Sequence, residues 1–329
     1  MSAASPLESL LRSKVPAGSY EALVTSVLPA IVDGIADIAK ALRSSHQVAL
    51  AGSANAFGDD QLNVDVAAEN IVRATAAKCP AVVTASSEEE PVERPARDGE
   101  AATEADEQYT FAFDPLDGSS IIAPNWSVGT IVGIWEGRSA LHQDPATRQV
   151  ASVLGVYGPR TTAIIALRVP GMAEGVCVEV GVNEHGARDC QVIREDVRLA
   201  AQSKTRYFAP ANLRAAAEDK NYAALVNHYI TSRYTLRYSG GLVPDVVHAL
   251  VKGHGVYVSP VTAASKAKLR RLYELFPLAL IVECAGGKAV DPVDGSDILA
   301  KPSEDTDERG GLICGTAEDV DFAVKSLLA

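Results

Sequence analysis

The sequence predicts an α/β (α+β) chain of two lobes: a larger one over residues 1–200 with a mixed or antiparallel sheet, and a smaller α/β one over 201–329. Three observations predict it. Leu23, Val27, Ile31, Ile35, Ile38 and Leu42 recur every three or four positions, the period of a long amphipathic helix over 20–44. Between Ser127 and Val180, strand-like runs follow one another across short turns, which suits antiparallel pairing. After about Ala200 the pattern changes to alternating helices and short strands.

In chain order, a turn-rich stretch at 51–60 leads into a second helix expected over 64–77. Short strands at 81–85 and 109–113 enclose a polar, acidic excursion, 86–107, that carries Pro91, Pro95 and Gly99. Strands are expected at 128–135, 153–157, 162–169 and 175–180, divided by turn signals at Glu136-Gly137, Gly158-Pro159 and Pro170-Gly171. In the second lobe, helices are expected at 212–219, 222–231, 243–252, 266–274, 278–285 and 318–328.

Composition excludes several classes. With 329 residues, 47% of them hydrophobic, the chain can bury a sizeable core. No apolar run approaches the roughly 20 residues of a membrane helix. Residues 1–20 lack the apolar core of a secretory signal and the Arg-rich, acid-poor character of a transit peptide, so a cytoplasmic protein is the simpler expectation, a removed leader the other. Five scattered cysteines without a CxxC pair argue against a disulfide framework or structural zinc. A net charge of −12 argues against a nucleic-acid partner.

Five segments could carry chemistry, and each has a plainer reading. Asp114-Pro115-Leu116-Asp117-Gly118-Ser119-Ser120 delivers two carboxylates from an apolar strand onto a tight turn, followed by N–H groups and hydroxyls suited to phosphate oxygens. Alone it is equally an ordinary Asp-Pro/Asp-Gly turn. Ser86-Ser87-Glu88-Glu89-Glu90 is a pair of ligands or a solvated acidic run. Gly52 to Asp59, with Asp65 beyond, is a loop before a helix or a further acidic contribution. Lys268, Arg270 and Glu274 fall on one expected helix, where Arg270 and Glu274 could simply pair. Arg237-Tyr238-Ser239-Gly240-Gly241 reads as an exposed basic and aromatic turn.

The order and combination of these segments, closing on Ala285-Gly286-Gly287, resemble the fructose-1,6-bisphosphatase branch of the inositol-phosphatase superfamily from about residue 20 to the C-terminus. Ile121-Ile122-Ala123-Pro124-Asn125-Trp126, Val156 to Thr162, and Ser259-Pro260 look more like the sedoheptulose-1,7-bisphosphatases within it. The resemblance implies a layered αβαβα sandwich and hydrolysis of the C1 phosphate of a sugar bisphosphate. Glu88, Glu89, Asp114, the Leu116 carbonyl, Asp117, Glu274 and Asp59 would hold about two or three magnesium ions, which manganese can replace. Glu89, supported by Asp65, would take the proton of the attacking water, with Asp117 the third catalytic group. Asp117, Gly118, Ser119 and Ser120 would hold the C1 phosphate; Asn212, Arg237, Tyr238, Lys268 and Arg270 would hold the sugar and distal phosphate. A homodimer or homotetramer is implied, in which Arg237 reaches a neighbouring site.

The match has departures. Val48 and Ser53 stand where plastid relatives carry a redox-active cysteine pair, so that switch is expected to be absent. Ala123 replaces a usual Asp, and Gln108 stands where animal fructose bisphosphatases place a Lys for AMP. Asp291-Pro292-Val293-Asp294-Gly295-Ser296 echoes the main motif and reads as a fortuitous turn. Rival expectations are a fructose or dual-specificity bisphosphatase, an inositol or nucleotide monophosphatase, and a non-catalytic sugar-phosphate-binding protein of the same fold.

Overall fold

The structure, a computed structural model, describes residues 5–54, 60–97, 107–200 and 205–329. The chain opens with α1 (Pro6–Lys14), capped by Ser5, an element absent from the sequence expectation. The amphipathic stretch starts as a π-helical turn, Leu23–Val27, and continues as α2 (Leu28–Ser44). Pro29 lacks an N–H for the preceding turn and crowds its carbonyls, so the turn widens there. Then come β1 (Leu50–Ala54) and β2 (Asp60–Leu62), an antiparallel ribbon where a plain turn was expected, and α3 (Asn63–Lys78).

The large sheet is built from β3 (Val82–Ser87), β4 (Arg94–Pro95), β5 (Tyr109–Asp117), β6 (Val128–Glu136), β7 (Gln149–Tyr157), β8 (Thr161–Leu167), β9 (Val176–Asn183) and β10 (Gly186–Arg194). The short helices α4 (Ser119–Ile122) and α5 (Pro145–Arg148) interrupt it. Its eight strands run in the order β10-β9-β8-β7-β6-β5-β3-β4, antiparallel except at the β3–β5 pair. That one parallel pair brings the C-terminal ends of β3 and β5 to the same edge.

Residues 205–329 contribute β11 (Tyr207–Pro210), α6 (Lys220–Thr231), β12 (Thr235–Leu236), α7 (Leu242–Lys252), β13 (Val256–Ser259), β14 (Leu269–Arg270), α8 (Phe276–Cys284), β15 (Lys288–Val290), β16 (Arg309–Gly310), β17 (Leu312–Gly315) and α9 (Ala317–Leu327). A mixed five-stranded sheet among them has the order β12-β11-β13-β17-β15. Two expected helices change character. The segment 212–219 is a 3-10 turn, Leu213–Ala217. The segment 266–274 is extended through β14 and then forms a second π-helical turn, Arg271–Leu275, ahead of Pro277.

Side-chain alternation across the strands sorts the core into layers. Phe111, Phe113, Val132 and Ile165 face α1, α2 and α3; Ala112, Ile131, Ile164 and Ala166 face α7 and α8. Ala209, Tyr257 and Cys314 cover the far side of α7 and α8, while Phe208, Val256 and Ile313 pack on α6 and α9. The order is helix, sheet, helix, sheet, helix, the αβαβα sandwich. No helix among the described residues is long and apolar enough to cross a membrane.

Candidate active site

The parallel β3–β5 pair sets Ser87 beside Phe113, and Glu88 N donates to the Phe113 carbonyl at 3.1 Å. Glu88 and Asp114 therefore leave adjacent strands together. Glu274 joins them from the second π-helical turn, which packs against β5. One carboxylate oxygen from each of Glu88, Asp114 and Glu274 lies within 4.8 Å of the others. Burial, then the charge of Glu88, pushes both the Asp114 and the Glu274 carboxyl well above the usual range. Three such groups repel one another out of water unless a cation compensates them. An all-carboxylate set of hard oxygens fits a divalent ion such as magnesium or manganese.

The turn after Asp114 is held from several sides. Leu116 N donates to Asp114 Oδ1 at 3.0 Å. Gly118 has φ 97°, a left-handed conformation that favours glycine, and a Cβ there would also crowd Val128 at 3.2 Å and Ile121 at 3.3 Å. Ser119 and Ser120 are exposed at the start of α4. Asp117 Oδ1 and Oδ2 accept from Leu242 N at 3.1 Å and Val243 N at 2.7 Å, the first amides of α7. The helix terminus has orphan donors to offer, and a carboxylate suits its positive end. Gly129 lets α7 approach, since a Cβ there would lie 2.4 Å from the Val243 side chain. Burial pushes Asp117 up to about 6, although the two amides act in the opposite direction.

Helix α3 supplies the other wall. Asp65 is buried and accepts from Leu62 N at 2.9 Å; burial raises it to about 6, and the charge of Glu89 adds to the rise. Gln61 Nε2 donates to Glu89 Oε2. Two turns along, Arg73 donates to Glu69 and Ser87, pairs with Glu90 at 3.1 Å, and lies 5.7 Å from the centroid of the Phe113 ring. It braces β3 and β5 at once. The spacing Asp65, Glu69, Arg73 was the available signal for this face, one residue every helical turn. Asp59 lies outside the described residues.

These raised carboxylates fix a sign for pH dependence. A carboxyl with a raised folded-state pKa stabilises the fold most below its unfolded value, near 4, and that contribution is gone once pH passes the folded value. For Asp65 and Asp117 the loss falls between about 4 and about 6. Metal-free protein is expected to lose thermal stability across that window, and magnesium to restore more of it at pH 8 than at pH 5. Thermal melts with EDTA or excess magnesium measure it; a flat metal-free profile would contradict the geometry.

The residues expected at the distal end divide. Tyr238 hydrogen-bonds the Asn212 backbone, Arg237 is exposed with its guanidinium 5.8 Å from the Tyr207 ring centroid, and Lys268 is exposed ahead of β14. Asp245, in the first turn of α7, accepts from Ser239 N at 2.6 Å and Gly240 N at 3.1 Å, fixing the turn that carries Arg237 and Tyr238. Arg270 stands apart from this set. It is only 1% exposed, 3.7 Å from Glu88 and 3.8 Å from Asp307. Extended backbone removes the expected helical i,i+4 relation with Glu274; instead Arg270 N donates to Glu274 Oε2 at 2.5 Å. The 291–296 echo is a turn whose Asp291 and Asp294 accept from the nearby amides of Val293 and Ser296.

Comparison with known proteins agrees with this geometry. The fructose-1,6-bisphosphatase N-terminal domain matches residues 11–181 and the C-terminal domain residues 201–327. Chloroplastic sedoheptulose-1,7-bisphosphatase of Spinacia oleracea is 36% identical over 81% of the chain, and that of Triticum aestivum 38% over 81%. The chain spans 64% and 63% of the length of these two relatives. A class 1 fructose-1,6-bisphosphatase of Syntrophotalea carbinolica is 36% identical over 83% of the chain and 80% of its own length. A presumed sedoheptulose-1,7-bisphosphatase of Toxoplasma gondii superposes with a TM-score of 0.85 at 35% identity, covering 98% of each chain. On these matches the chain belongs to the fructose-1,6-bisphosphatase family.

Proposed function

We propose that the protein hydrolyses the C1 phosphate of sedoheptulose 1,7-bisphosphate, giving sedoheptulose 7-phosphate and phosphate, with magnesium held by Glu88, Glu89, Asp114, the Leu116 carbonyl, Asp117 and Glu274. The observation that carries the reading is the convergence of Glu88, Asp114 and Glu274 within 4.8 Å. Bound divalent ions supply charge neutralisation at the phosphoryl group and acidify water. Glu89, oriented by Gln61 and backed by Asp65, accepts the proton of the attacking water. Gly118, Ser119 and Ser120 hold the reacting phosphate through amides and hydroxyls. Arg270, buried against Glu88, serves this reacting end. Asn212, Arg237, Tyr238 and Lys268 bind the sugar and distal phosphate, so residues 1–200 provide the reaction half and 201–329 most of the recognition half. A cytoplasmic homodimer or homotetramer is part of the same reading.

The similarity to a class 1 fructose-1,6-bisphosphatase keeps fructose 1,6-bisphosphate as the second reading. With magnesium saturating, kcat/KM for the seven-carbon substrate is expected to exceed that for the six-carbon one by roughly tenfold or more, the discrimination a pocket achieves for small differences in substrate size. Equal values would make the enzyme dual-specific, and reversed values would make it a fructose bisphosphatase.

A further inference from the structure

The Pro115–Leu116 peptide lies in the middle of the acidic turn and is held at both ends. Its N–H donates to Asp114 Oδ1 at 3.0 Å, and its carbonyl accepts from Thr130 Oγ1 at 2.7 Å. Thr130 Oγ1 in turn lies 2.7 Å from the Tyr157 hydroxyl. A threonine hydroxyl has one proton, and the Pro115 carbonyl can only accept, so the Tyr157 hydroxyl donates to Thr130. The three groups come from β5, β6 and β7 and form a transverse chain of hydrogen bonds beneath the site. Thr130 is 1% exposed and Tyr157 7%, so water has little access to replace a lost partner. Gly155, opposite Thr130, leaves room for the phenol: a Cβ there would come within 3.0 Å of its oxygen.

We infer that Thr130 and Tyr157 are positioning residues for the cation site. They touch neither ion nor substrate. By fixing the plane of the Pro115–Leu116 peptide they set the direction in which Asp114 presents its free oxygen and in which the next carbonyl, that of Leu116, points. Removing the Thr130 hydroxyl frees this peptide to rotate, and the N–H that pins Asp114 rotates with it. The inference rests on the proposed metal site.

The test measures the magnesium midpoint from the ligand-dependent rise in melting temperature, alongside the metal-free melting temperature and turnover. Thr130→Val, isosteric but without the hydroxyl, is expected to raise the midpoint ~10- to 100-fold, the usual effect of losing a group that orients a metal ligand. Thr130→Ser, which keeps the hydroxyl, is expected to stay within about twofold of wild type, and Tyr157→Phe to fall between them. A wild-type protein without a magnesium-dependent shift would overturn the metal reading itself. A clear wild-type shift, with Thr130→Val lowering only the metal-free melting temperature, would overturn the positioning role and leave the metal reading intact. Should Thr130→Val fail to fold, Tyr157→Phe decides: an unchanged midpoint overturns the inference, a raised one sustains it.

Discussion

Asp117→Asn is expected to abolish turnover and to loosen the seating of α7 on the end of β5. The carboxylate that would serve cation and phosphate also accepts the first two amides of α7. An asparagine offers one oxygen and one NH2, so one helix amide must face another donor. Leaving a buried donor unmade costs about 1–3 kcal/mol. Loss of an electrostatic contact to the reacting group is worth at least about a hundredfold in kcat. Phosphate release and a thermal melt, both with saturating magnesium so that the charge of Asp117 is compensated, would read the two effects. A folded variant that hydrolyses the bisphosphate at near wild-type rate would sink the assignment.

Glu274→Gln is expected to separate the two effects, with turnover falling by a similar factor while metal-free stability rises. Glu274 is buried beside Glu88, and its carboxyl is pushed well above the ordinary range. Its ionised form therefore opposes folding: the stabilising contribution exists below the unfolded value of about 4.3 and is lost as pH climbs through the folded one. Glutamine stays neutral throughout and still offers an oxygen to Arg270 N. Without metal at pH 8 the variant should melt above the wild type, the two should converge near pH 4, and the magnesium-induced shift should shrink. A variant less stable than wild type at pH 8 would refute the picture of an overcharged cluster.

Much of this candidate site was legible because its chemistry is local. Asp114 and Asp117 lie on one turn and Glu88 and Glu89 on another, each just past a short apolar run that reads as a strand. The layer order came from the family resemblance, and strands such as Phe111–Ala112–Phe113 bear it out by turning alternate side chains to different helical layers. The segment around Arg270 was misread because Lys-x-Arg-x-x-x-Glu has helical spacing. Pro277 was the warning for the widened turn before it, and pairing of β14 with β16 is what holds Arg270 extended. Strand β10 was missed because its exposed residues, among them Arg188, Asp189 and Gln191, dilute the apolar signal at the sheet edge. Thr130 and Tyr157 could not be read at all. Their meeting depends on the register of three strands, and nothing local marks a threonine as facing a carbonyl across the sheet.

The middle helical layer has a consequence for how the chain is made. Helices α7 and α8 cover one face of the large sheet, yet they follow its last strand in sequence. On the ribosome, β10 is complete at Arg194 while α8 ends only at Cys284. At about 5–20 residues per second, the intervening synthesis leaves Ile131, Leu154, Ile164 and Ala166 without their cover for several seconds or more. Bare sheet of that kind invites association between nascent chains, so a truncated first half should be prone to aggregate, and the full-length protein should benefit from a holding chaperone until the second half emerges.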